Sequence, residues 1–95
     1  MFRITKIFEN PLLVIYKIEG EIADASLSVW TDELKALQKQ ANRQRILDFS
    51  RVWSISADAL QSLMANLSNG IFVMNPSIEV RNTLHTAGLS AKVLE

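Results

Sequence analysis

The chain has 95 residues, 48% hydrophobic and 21% charged, a balance that supports one folded domain over 1–95 with a single core. Its ten Lys and Arg equal its ten Asp and Glu, so the formal net charge is zero. That excludes the basic footprint of a nucleic-acid binder and a polybasic membrane anchor, and the absence of cysteine excludes disulfides, thiolate catalysis and zinc–cysteine sites.

The first residues, Met1-Phe2-Arg3-Ile4-Thr5-Lys6, interleave charged and apolar side chains and do not read as a signal peptide. The longest apolar run, Pro11 to Tyr16, is far shorter than the roughly 20 residues of a membrane span. A cytoplasmic protein without membrane insertion is the expectation. Asn10-Pro11 is a turn signal between two β-rich runs, Phe2–Phe8 and Leu12–Glu19, which predict an antiparallel hairpin. The first run alternates, with Phe2, Ile4, Lys6 and Phe8 on one face. The second is almost continuously apolar, as in a strand covered on both faces, and Gly20 is expected to end it.

The period then changes. Leu27, Trp30, Leu34, Leu37 and Ala41 form one apolar stripe on a helix of about four turns. Asp24 or Ser26 can cap its start, and Lys39, Arg43 and Arg45 lie near its end, where cations favour the negative pole of the dipole. Arg45–Ser50 reads as a short buried strand. Leu60, Leu63, Met64 and Leu67 mark a second, short helix that Asn69-Gly70 stops. Ile71–Met74 reads as a strand. Asn75-Pro76 reads as an N-cap followed by proline at the first helical position. Val80, Leu84 and Ala87 form the inner face of a third helix, closed by Gly88-Leu89 in a Schellman-type cap, and Val93-Leu94 suits one last short strand. The order β-β-α-β-α-β-α predicts an α/β fold, a mixed β-sheet with helices packed against it.

No catalytic set can be assembled. His85 is the only histidine, beside the inner stripe of the last helix, and reads as a surface or boundary residue. There is no second histidine for a metal pair, no Gly-rich phosphate loop and no nucleophile elbow. Neither an enzyme nor a cofactor is expected. Asp48 and Asp58 flank what reads as a strand-to-helix loop, and in open α/β sheets ligands and partners meet the carboxyl ends of strands. The stretch Asp48–Leu60 is therefore the functional candidate. Each aspartate also has a structural reading: Asp48 bonding loop amides, Asp58 favouring the dipole in the first turn of its helix.

The run Ile46-Leu47-Asp48-Phe49-Ser50-Arg51-Val52-Trp53-Ser54-Ile55-Ser56-Ala57-Asp58-Ala59-Leu60 resembles the signature of STAS domains, the modules of anti-sigma-factor antagonists and sulphate transporters. Gly20-Glu21-Ile22, Asn75-Pro76-Ser77-Ile78-Glu79-Val80 and Leu84…Gly88-Leu89 match further family motifs in order, so the resemblance spans essentially the whole chain. It implies a non-catalytic regulatory module that docks a protein partner, an anti-sigma factor with serine-kinase activity or another signalling protein. In regulatory members that kinase phosphorylates a serine at the start of the second helix, and the added charge repels the partner. Here the phosphoacceptor position falls on Ala57, and the family's aspartate falls on Ser56. The resemblance thus implies docking without the ordinary phospho-switch. Ser56 stands one residue early as a substitute acceptor, with N-cap as its first role.

The implied partner-binding residues are Asp24, Ser26, Trp53, Ser54, Ser56, Ala57 and Asp58. Asp58 can serve as a fixed negative charge. Trp53 reads as packing over the sheet end, or as an interface anchor where exposed. The alternative function is a cytoplasmic STAS-like subunit of a membrane lipid-transport ATPase complex. So small a domain is also compatible with a homodimer.

Overall fold

The computed structural model describes residues 1–94. Five strands form one mixed sheet in the order β1-β2-β3-β4-β5. They are β1 (Phe2–Glu9), β2 (Leu13–Ile22), β3 (Gln44–Ile55), β4 (Ile71–Met74) and β5 (Val93–Leu94). β1 and β2 are antiparallel, and every later neighbour is parallel. The helices are α1 (Leu27–Gln38), α2 (Ala57–Ala65) and α3 (Ile78–Thr86), with short 3-10 turns at Asp24–Ser26 and Ser90–Lys92.

The order has a physical consequence. Each parallel crossover steps one strand in the same direction, so right-handed connections put all three helices on one face. The register agrees. Tyr16 lies opposite Leu47, which lies opposite Val73, which lies opposite Val93. On that face Ile18, Leu47, Phe49, Ile71 and Val73 join the buried residues of all three helices in one core. β2 was expected to be covered on both faces; only one is covered. Leu13, Ile15, Ile46, Phe72 and Met74 point the other way, only half-buried and outside the core.

Several local expectations are corrected. Gly20 does not end β2, which runs on to Ile22. Its φ of 103° is a left-handed value, and a Cβ there would stand 2.6 Å from the Met1 carbonyl oxygen. Glycine at this position lets the start of β1 close on β2. Phe8 leaves the face of Phe2 and Ile4, because a bulge between Lys6 and Phe8 sets it opposite Ile15 on the open face. α1 ends at Gln38, leaving Ala41 outside it and exposed, and neither Asp24 nor Ser26 caps it with a side chain. The 3-10 turn absorbs the entry instead. The cap of α3 is Ser77, whose Oγ accepts from the Val80 amide at 3.2 Å, while Asn75 takes a positive φ of 55°. Ala87 is exposed and not on the inner face. The Schellman cap does form, with Leu89 N–H donating to Leu84 O and Gly88 N–H to His85 O.

Two buried groups fix the ends of the sheet. At the amino end of the parallel strands Arg45, only 1% exposed, donates to the carbonyls of Arg43, Leu37 and Asn69 at 2.9, 2.9 and 2.7 Å. It caps the last turn of α1 from a strand, so its expected place near that helix end is kept by a different route. Burial lowers its pKa, and three carbonyl acceptors are what keep a buried guanidinium tolerable. A Cβ at Gly70 would run into this guanidinium. Near the carboxyl end Trp30, fully buried, packs edge-on to Phe2 at 5.5 Å and tilted to Phe49 at 6.2 Å. Its indole N–H donates to Ala59 O at 3.0 Å, tying α1 to the first turn of α2.

Candidate functional site

Three connections leave the sheet at one end. β2 runs into the Asp24–Ser26 turn, β3 into α2, and β4 through Asn75-Pro76 into α3. Ile22 and Ile55 are register partners, and the Ser56 amide donates to Ile22 O at 2.9 Å. The chain therefore enters the Ala23–Ser26 segment and α2 side by side. Thr31 Oγ1 and Ser62 Oγ, 2.9 Å apart, hold α1 against α2 behind them.

The strand-to-helix loop expected over Asp48–Leu60 is mostly strand. β3 continues to Ile55 because Glu19–Ile22 of the lengthened β2 supply it with a partner. Asp48 is thus a mid-strand residue on the open face, its carboxylate accepting the Ser50 amide at 2.9 Å. It does not meet Asp58. The register of β2 against β3 slips twice here, and at the second slip Trp53 is the extra residue between Val52 and Ser54. A bulged residue has no cross-strand neighbour to lie beside. Trp53 is 78% exposed and does not pack over the sheet end.

Ser56 caps α2, its Oγ accepting from the Ala59 amide at 3.1 Å with the backbone extended at φ −70°, ψ 160°. Its hydroxyl is thereby held at the helix end. Ala57 and Asp58 are exposed in the first turn, where a carboxylate complements the helix dipole. Asp24 is exposed and Ser26 half-buried. A hollow of about 120 Å³ separates Trp53, Ser54 and Ile55 from Ser77 and Glu79 at the start of α3.

The structure thus brings Asp24, Ser26, Ser54, Ser56, Ala57 and Asp58 to one end of the sheet, with Trp53 at its margin. Three neighbours stand in the quoted motifs but were not read as site residues: Glu21, the register partner of Ser54, and Ser77 and Glu79 at the start of α3. The signal for the last two was a second capping serine just after Asn75-Pro76. The surface is acidic. Glu21, Asp24, Asp58 and Glu79 belong to none of the ion pairs between described residues, which join Arg3 and Lys17 to Glu19, and Lys6 and Arg43 to Glu9.

Among the described residues no three His, Asp or Glu side chains gather as a metal would require. His85 is exposed, its Nδ1 2.5 Å from Ser90 Oγ, outside this surface. No described helix is long and apolar enough to cross a membrane.

The mixed five-stranded sheet with three helices is a STAS-like fold. Among solved structures it is similar to the Bacillus cell fate determinant SpoIIAA in its phosphorylated form, with a TM-score of 0.74, 14% identity, and 97% of this chain covered against 89% of that one. The anti-sigma factor antagonist SpoIIAA in its unphosphorylated form gives a TM-score of 0.67 at 17% identity, covering 97% and 86% of the two chains. An anti-sigma factor antagonist from Mycobacterium paratuberculosis gives 0.72 at 17%, covering 98% and 83%. No family model and no curated protein matches the sequence.

Proposed function

We propose that this chain is a non-catalytic, cytoplasmic regulatory module. It docks a signalling partner of the anti-sigma factor or serine-kinase type through the surface formed by Asp24, Ser26, Trp53, Ser54, Ser56, Ala57 and Asp58. The observation that carries the reading is the first turn of α2. The position on which the phosphoacceptor falls is the exposed Ala57, which has no hydroxyl, and the neighbouring hydroxyl of Ser56 is occupied as the cap. Docking is then constitutive, and Asp58 at the same helix pole is a fixed negative charge that the partner meets. Trp53, fully available for burial, is the anchor.

Loss of the acceptor also favours a second reading, a subunit of a membrane lipid-transport ATPase complex, where a permanent contact serves and a phospho-switch does not.

Intact-mass analysis after incubation with ATP and a host anti-sigma kinase tests the lost switch. No phosphate is expected on the wild-type chain, and stoichiometric phosphate on Ser54 or Ser56 overturns the reading. With the docked partner in hand, Asp58→Ala is expected to weaken binding at least tenfold, about 1.4 kcal/mol. An unchanged affinity removes Asp58 from the account.

A further inference from the structure

β3 runs on past the end of β4. Its last pairing with β4 is Asp48 with Met74, so from Phe49 to Ile55 its edge on that side has no described strand beside it. Such an edge leaves backbone carbonyls without partners from the sheet. The hollow of about 120 Å³ lies along this edge. It is walled by Trp53, Ser54 and Ile55 on the strand and by Ser77 and Glu79 on α3, and its surface is mainly polar.

Two of these walls are unmatched within the described chain. Glu79 joins none of the ion pairs between described residues. Trp53 is 78% exposed, and the ring contacts among described residues go elsewhere: Phe2 and Phe49 to Trp30, and Lys92 to Phe72. The charges around the hollow are of both signs, but Glu79 is the charged group in its wall. Glu21, opposite Ser54, and Asp58, in the first turn of α2, add negative charge to the same surface. Arg51 walls a wider recess on the open face of the sheet, and Arg81, two residues after Glu79, is not a wall of the hollow. The positive pole of α3 amounts to about half a charge, less than the carboxylate in its first turn.

We infer that this hollow receives an arginine side chain of the protein partner, its guanidinium between Glu79 and the ring of Trp53. The inference rests on the docking role proposed above and names the chemistry of one contact in it. Size, polarity and charge select the occupant together. The hollow has about four times the ~30 Å³ share of one water, room for a guanidinium head and for no larger ring. An apolar side chain would strip water from the carboxylate and the strand edge and return no hydrogen bonds. A guanidinium returns them through its fork of N–H donors, two of which match a carboxylate, while its flat face stacks on an indole. A lysine brings the charge but neither the fork nor the plane.

The two indole N–H resonances make NMR the natural readout, because Trp53 is exposed and Trp30 is buried. The probe is acetyl-Gly-Arg-Gly-amide, titrated into the isotope-labelled full chain beside its citrulline twin, which keeps the shape and loses the charge, and its lysine twin. The arginine peptide is expected to shift the Trp53 indole and the Ser54 and Glu79 amides saturably, to leave the Trp30 indole in place, and to bind at least tenfold tighter than citrulline and threefold tighter than lysine. Glu79→Gln should abolish the preference over citrulline, and Trp53→Ala should weaken the arginine peptide at least fivefold. Asp58→Asn, outside the hollow, should change its affinity less than twofold. That pattern carries the inference whether or not a partner is captured at the start of α2. Equal binding of the arginine and citrulline peptides, or a preference that Glu79→Gln leaves in place, would overturn it. So would a captured partner whose affinity Glu79→Gln does not change, which would leave the docking surface standing without this contact. A dimer in sedimentation velocity that Glu79→Gln dissociates would also overturn it, since the arginine would then be the chain's own.

Discussion

From Arg45 to Asp48, β3 lies between β2 and β4, and its register is unbroken on both sides. From Phe49 to Ile55 it pairs with β2 alone and slips register twice. The first half holds Arg45 and Leu47, both essentially inaccessible; the second presents Ser50, Arg51, Trp53 and Ser54 to solvent. One strand thus divides its labour. The half with two neighbours anchors the fold, and the half with one neighbour, freed by its bulges, supplies the surface. Substitutions should separate the same way, with folding free energy lost from the first half and binding free energy from the second.

The largest effect on stability should come from Arg45→Met. It leaves the carbonyls of Arg43, Leu37 and Asn69 without their donor, and urea denaturation should show a loss of about 3 kcal/mol. A loss under about 1 kcal/mol would break the contrast. Trp30→Phe keeps an aromatic ring against Phe2 and Phe49 but loses the bond to Ala59 O and some volume. About 2 kcal/mol is expected by the same measurement. Ser56→Ala removes only the α2 cap and should cost about 1 kcal/mol. Trp53→Ala should move stability by less than about 0.5 kcal/mol while lowering affinity for the docked partner roughly tenfold. Similar losses of stability at Trp53 and Trp30 would show that the exposed half is structural after all.

The smallest effect is on pH dependence. Glu19 has a folded pKa below its ordinary 4.5, held down mainly by its hydrogen bond to Lys17. A depressed carboxylate contributes stability above the unfolded value and loses it as pH falls through the folded one. The difference in urea midpoint between the wild type and Glu19→Gln should therefore be constant above about pH 5 and shrink below 4.5. A difference that persists unchanged to lower pH would remove the Lys17–Glu19 pair from the account.

The hydrophobic period disclosed the order of elements, and the capping preferences of serine and glycine disclosed the α2 cap at Ser56 and the Gly88-Leu89 cap, because each is set by neighbours in the chain. What it concealed depends on partners far along the sequence. Arg51-Val52-Trp53-Ser54-Ile55 reads as a loop, yet Val52 and Ile55 point to the core once Gly20 and Ile22 lie opposite them. Gly20 reads as a terminator, but it is demanded by the approach of Met1 from another strand. The continuous run Leu12–Ile18 implied burial on both faces. The open face follows instead from strand order, which no single segment encodes. At Asn75-Pro76-Ser77 two good capping residues compete, and Ser77 wins because its hydroxyl meets the Val80 amide. Of the candidate site, Asp24, Ser56, Ala57 and Asp58 were legible from the resemblance; Glu21 and Glu79 needed the register and the packing of α3.

Site-specific photo-cross-linking in living cells tests the central claim most directly. The full chain carries a photoreactive phenylalanine derivative in place of Ala57 or, as a control at the opposite end of the sheet, in place of the exposed Asn42. An adduct with one ATPase-type partner, an anti-sigma kinase or a transport ATPase, is expected from position 57 and absent from position 42, and Asp58→Lys should abolish it. No adduct from position 57, or the same adducts from both positions, would contradict a docking surface at the start of α2.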